Sequence, residues 1–275
     1  MALPPYASPL QRAWHYAFRA ICAAVLAFLV LPILVIVPLS FSAGTFLTYP
    51  LPGLSLRWYA DFFGSEMWLA ALKNSLIVAS ATTVLATALG TLAALGLARG
   101  RVPFRGLVMA VLISPLMVPL VITAVGVYFL FALAGLVNTY TGLILAHTVL
   151  AVPFVVITVA SSLQGFDRTL SRAAASLGAN PTRVFFSVTL PLILPGVISG
   201  ALFAFATSFD EVVVALFLAG PEQRTLPRQM FSGIRENIGP TITAAATLLI
   251  ALSIALMVTM ELLRRRAERL RGSSR

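Results

Sequence analysis

Asp210 and Glu211 stand side by side inside the apolar stretch 189–219, where charges are costly. A lipid-facing carboxylate costs ~2.5–3.5 kcal/mol even on a lenient insertion scale, so at least one of the two should face a bundle interior or an aqueous cavity. Adjacent helical residues point about 100° apart, so one helix cannot aim both the same way. A charge so placed attracts a cation. The other readings are an ion pair with an arginine such as Arg224 or Arg228, or an interhelical hydrogen bond that fixes gating geometry. His147 lies in another apolar stretch with no acid near it in sequence, so it reads as a packing or pathway-lining residue rather than as the base of a serine nucleophile. His15 and His147 cannot form HExxH, and no run has metal-ligand spacing. The only lysine, Lys73, follows Leu72, so the Gly-Lys-Ser/Thr of a phosphate-binding loop is missing. The single cysteine, Cys22, rules out an intrachain disulfide. No enzymatic activity, cofactor or metal is expected of this chain.

The elements that must position these residues follow from composition. The 275 residues are 59% hydrophobic and 10% charged, against roughly 45–50% and about 25% in soluble domains. Mean hydropathy is +0.97. An all-α, polytopic membrane protein is expected, because lipid accepts only backbones that satisfy their own hydrogen bonds. Six spans fit, at 17–42, 71–98, 106–134, 139–162, 189–219 and 241–262, the first too long for a cleaved signal peptide. The net charge of +10 comes from 19 basic and 9 acidic residues, and it reports topology rather than nucleic-acid binding. With the N-terminus inside, fourteen basic residues fall on that side, among them Arg99, Arg101, Arg105 and the C-terminal arginines through Arg275. Five remain outside, at Arg57, Lys73, Arg224, Arg228 and Arg235. The asymmetry predicts both termini in the cytoplasm.

The chain then divides into a cytoplasmic N-terminus (1–16), a first transmembrane helix (17–42), an external interfacial segment (43–70), a transmembrane domain (71–262) and a basic cytoplasmic tail (263–275). Trp58, Tyr59, Phe62, Phe63 and Trp68 make the external segment aromatic. Small residues at four-residue spacing, Ala86, Gly90, Ala94 and Ala98, then Gly196, Gly200 and Ala204, favour close helix packing. Pro115, Pro119, Pro153, Pro191 and Pro195 remove backbone donors and can bend their spans. No internal repeat is visible, so a pathway on a two-fold axis needs a second chain.

The segment 165–188 is built as more than a connection. Asp167 can cap a short helix whose Leu170, Ala173, Ala174 and Leu177 share one apolar face. Gly178 ends it, and Asn180 with Pro181 starts another. Such a face suits docking into another protein's groove.

Arg172-Ala173-Ala174, Gly178 and Val188-x-Leu190-Pro191 resemble the EAA-x3-G-x9-I-x-L-P signature of ABC importer permeases. Arg172 stands where the signature has Glu, so a salt bridge made by that acid is not available in the same form. Further along, Ser208-Phe209-Asp210-Glu211, Phe217-Leu218-Ala219-Gly220-Pro221 and Arg224-Thr225-Leu226-Pro227 are similar to the spermidine/putrescine subgroup, as are Asn74-Ser75 and His147 with Pro153-Phe154. The resemblance implies the MetI-like type I permease fold, with 165–188 as the coupling segment and Asp210, Glu211 and His147 on the substrate pathway. It also implies partners: a second homologous permease, two ATP-binding subunits carrying ATP and magnesium, and a periplasmic solute-binding protein in a bacterial inner membrane. The expected cargo is a polyamine or related small cation. A self-contained secondary transporter or channel remains the alternative; it predicts inverted repeats and broken half-helices within one chain.

Overall fold

The computed structural model describes residues 8–98, 102–236 and 239–272. Arg99, Arg101 and Arg275 of the orientation argument lie outside the described residues, as do 1–7 of the N-terminal segment and 273–275 of the tail. Among the described residues there is no strand, only an isolated bridge between Ser42 and Leu54. Among these residues five helices are long and apolar enough to cross a membrane, and a bent pair makes a sixth crossing if it acts as one span. Contacts group the chain into two compact units, Met1–Gly64 with Glu236–Ile250, and Ser65–Arg235 with Ala251–Arg275.

The first unit begins with α1, Pro9–Leu39, started by a reciprocal cap between Ser8 and Gln11. Of its residues only Leu39 is buried, which leaves an apolar cylinder suited to lipid. Beyond it the chain folds back on itself: Ser40 hydrogen-bonds Tyr59 at 2.7 Å, and the Trp58 indole donates to the Ser42 carbonyl at 2.8 Å. Short α2, Arg57–Gly64, buries Trp58 and Phe62. The expected aromatic stretch therefore turns part of its aromatic surface into protein, while Phe63 stays exposed.

The second unit is organised around α3, Glu66–Ala98, α6, Tyr140–Gln164, and α9, Leu190–Phe209, with α6 packed against both of the others. The small residues act here as their spacing predicts. A Cβ on Gly90 would lie 2.6 Å from Val155 Cβ, and one on Gly200 would lie 2.6 Å from the Thr158 hydroxyl, so both sites need glycine to let backbones approach. Ala86, Ala94, Val155, Val159, Ile193 and Ala204 fill the seam.

Two expected spans are corrected. The stretch 106–134 is not one helix: α4, Arg105–Met117, and α5, Leu120–Leu133, are separated by a bend of 106°. Pro119 is the cause, because Val118 before it is extended (φ −80°, ψ 135°), as a residue preceding proline prefers. The stretch 189–219 is divided as well. Its helix begins earlier, at Pro181, with α8, Pro181–Val184, runs through a π-helical turn, Phe185–Thr189, into α9, and stops at Phe209. Pro191 has no N–H to return to the carbonyl four residues back, and Leu190 N–H instead reaches the Phe185 carbonyl, five back. A separate α10, Val213–Leu218, follows the break. The amphipathic α7, Arg168–Ser176, and α11, Leu226–Glu236, lie outside the spans, and α12, Thr241–Gly272, closes the chain.

Candidate coupling and pathway sites

Asp210 and Glu211 occupy the break between α9 and α10, not the middle of a helix. Asp210 caps α9 with its N–H on the Ala206 carbonyl, and it is exposed. Glu211 turns inward with 6% exposure. One of its carboxylate oxygens accepts from Val214 N–H at 2.7 Å and the other from Ala215 N–H at 3.0 Å, so it caps the free end of α10. His147, fully buried on α6, has Nε2 3.4 Å from Glu211 Oε2 and Nδ1 2.8 Å from the Ser208 hydroxyl. The three side chains tie α6, α9 and α10 together in one buried polar knot. Neither arginine considered as an ion-pair partner takes that part. Arg224 donates to Gln229 at 3.0 Å, and Arg228 donates to the carbonyls of Ala219 and Gly220. Burial and the nearby Arg224 lower the Arg228 pKa from its ordinary value.

Serine, histidine and carboxylate stand in sequence of contact, but Ser208 is 4% exposed and Glu211 accepts from two amides, so the three act here as a structural tie between helices.

Sequence reasoning assigned no role to a second tie. The Asn74 amide of α3 donates to the carbonyls of Glu222 and Arg224 at 2.7 and 3.0 Å, and it accepts from the Tyr140 hydroxyl at 2.7 Å. Ser75 accepts from Leu226 N–H at 2.8 Å. The loop after α10 is thereby fastened to the start of α3. A buried asparagine in an apolar span was the available signal, since such a group needs partners.

The segment 165–188 folds as its residues predict. Asp167 caps α7 through Thr169 N–H at 2.9 Å and also accepts from the Thr169 hydroxyl at 2.7 Å; these bonds hold its carboxyl below the ordinary carboxylate range. Gly178 has φ +85° with open space about it, so backbone conformation rather than room demands glycine. Asn180 caps the next helix by accepting from Arg183 N–H at 2.8 Å.

The faces of α7 are distributed unusually. Leu170, Ala173 and Leu177 are exposed, Leu177 at 89%, and Ala174 is half-buried. Arg168, Ser171, Arg172 and Ala175, on the nearly opposite side, line a cavity of about 700 Å³ within the second unit. An amphipathic helix that packs on its own protein turns its apolar stripe inward; α7 leaves that stripe free. Val188, Leu190 and Pro191 sit where the π-helical turn passes into α9. From there α9 runs 20 residues to the acidic break, about 30 Å at 1.5 Å per residue.

The family described as "Binding-protein-dependent transport system inner membrane component" matches residues 86–269. The chain is 35% identical over 249 residues to the spermidine/putrescine transport system permease protein PotC of Haemophilus influenzae, covering 90% of this chain and 96% of that protein. It is 38% identical over 232 residues to the putrescine transport system permease protein PotI of Escherichia coli K12, covering 81% and 82%. Among solved structures, a chain of a bacterial ABC transporter involved in the import of the acidic polysaccharide alginate superimposes with TM-score 0.74 at 15% identity, covering 94% of this chain and 99% of that one. A chain of the methionine ABC transporter MetNI, in an inward-facing conformation, gives 0.54 at 20% identity, covering 74% and 99%.

Proposed function

The chain belongs to the family of binding-protein-dependent transport system inner membrane components, and from that premise we propose that it is the permease subunit of an ABC importer for polyamines. It supplies half of the translocation pathway, a second homologous permease supplies the other half, and two ATP-binding subunits dock from the cytoplasm, where both termini lie. A periplasmic binding protein delivers the cargo. Bond chemistry belongs to the ATP-binding partners; this chain contributes motion and a lined path.

The carrying observation is the outward apolar stripe of α7, joined through α8 and the π-helical turn to α9, whose far end holds Asp210. Closure of the ATP-binding pair moves α7, and α9 carries that displacement to the acidic break. There the exposed Asp210 presents negative charge to the path, while Glu211 and His147 hold the break in shape. The names of the relatives support a polyamine cargo, and a dication suits a carboxylate on the path.

A photo-crosslinking residue at Leu177 of the assembled transporter tests the docking. Covalent capture of an ATP-binding subunit from position 177, together with much weaker capture from position 168, is expected. Equal capture from both positions, or none from 177, would contradict it.

A further inference from the structure

We propose that the groove of the ATP-binding subunit that receives α7 presents a carboxylate to Arg172, so that the two chains recognise each other by charge as well as by apolar fit. This rests on the docking reading above and adds the chemistry of the partner. α7 is open on more than one side. Of its nine residues only Ser171 and Ala174 are half-buried, and the other seven, Arg172 among them, are exposed. The side opposite the apolar stripe borders the cavity lined by Arg168, Ser171, Arg172 and Ala175 rather than packed protein. A helix so free is enclosed by a groove rather than touched along one line, and its flanking charges then leave water together with the stripe.

Charge decides what that groove must offer. Between residues 165 and 188 stand three cations, Arg168, Arg172 and Arg183, and one acid, Asp167. Both oxygens of Asp167 accept from Thr169, and Arg168 donates to the Ala98 carbonyl at the end of α3. The Arg172 guanidinium is uncommitted: among the described residues neither a carboxylate nor another acceptor meets it. A guanidinium does not shed its proton to escape burial, and burying it unpaired is strongly unfavourable. A carboxylate answers it with two parallel hydrogen bonds. A groove complementary to the signature's Glu at this position would be cationic and would repel Arg172, so position 172 also decides which ATP-binding subunit this chain accepts.

The test exploits the scarcity of lysine. Arg172→Lys keeps the positive charge and places an amine on a chain whose only lysine, Lys73, lies near the start of α3, at the opposite end of that helix from Ala98 and α7. In the assembled transporter treated with a carbodiimide, the introduced amine is expected to form an amide with an Asp or Glu of the ATP-binding subunit, identified by peptide mass spectrometry; the carboxyl oxygen that is displaced leaves in the urea. Arg172→Glu changes an exposed side chain without partners in its own chain, and co-purification of the subunit should weaken about tenfold or more at low salt, as for a charge pair turned repulsive. Photo-capture from Leu177 keeps the two claims apart. Capture from 177 with no amide from 172, or unchanged co-purification of Arg172→Glu, would overturn the carboxylate and leave the docking standing. No capture from 177 would overturn the docking and this proposal with it.

Discussion

Asp210 and Glu211 are adjacent in sequence, yet one is exposed and the other has 6% exposure and two amide donors on its carboxylate. Their substitutions should therefore separate. Asp210→Asn keeps size and removes charge; uptake of a polyamine should fall on the order of tenfold, which is ~1.4 kcal/mol, while the protein's thermal stability in detergent holds. Glu211→Ala strands two buried N–H groups and the His147 ring, at about 1–3 kcal/mol for each unsatisfied group. That variant should melt earlier and lose activity toward any cargo, whereas Glu211→Gln keeps an acceptor and should be milder. A stable Glu211→Ala with selective loss of cation uptake would reverse the two roles. The sequence shows that these acids need partners; it does not show that α9 ends at Phe209, directly before them, since the chain turns apolar again at Val212 and Val213.

α7 and its turn are legible in the sequence because capping and φ > 0 are local demands with local signatures. Gly178 at φ +85° is the sharpest case. Gly178→Val forces a β-branched residue into a left-handed conformation at about 1–2 kcal/mol, and transport should drop at least tenfold with normal membrane levels; Gly178→Asn, better tolerated there, should retain most uptake. Normal uptake by Gly178→Val would remove the turn from the coupling path. Asp167 sets a pH window. Its folded pKa lies below its unfolded one, so its stabilisation of α7 is complete above the ordinary carboxylate range and disappears only as pH falls through the lowered value. Association with the ATP-binding subunits, followed by co-purification, should be level from pH 8 to about 5. The bend at Pro119 was legible as a possibility, because any of the prolines could bend its span; which one does so depends on Val118 and the packing of α5 against α10. Which way the stripes of α7 point is set by the cavity behind it, so spacing alone left that open.

On the proposed function, the molecule as a whole is one part of a larger machine. α1 is almost bare, with Leu39 its only buried residue, whereas α6 is enclosed between α3 and α9. The spans outlined by hydropathy survive as helices except where the chain breaks, at Pro119 and after Phe209. The most direct test is ATP hydrolysis by the reconstituted transporter, with putrescine and spermidine presented on the cognate binding protein beside neutral and anionic solutes. The account predicts stimulation by the polyamines, and loss of that stimulation in Asp210→Asn. Stimulation by another solute alone, or the absence of any associated ATPase, would contradict it.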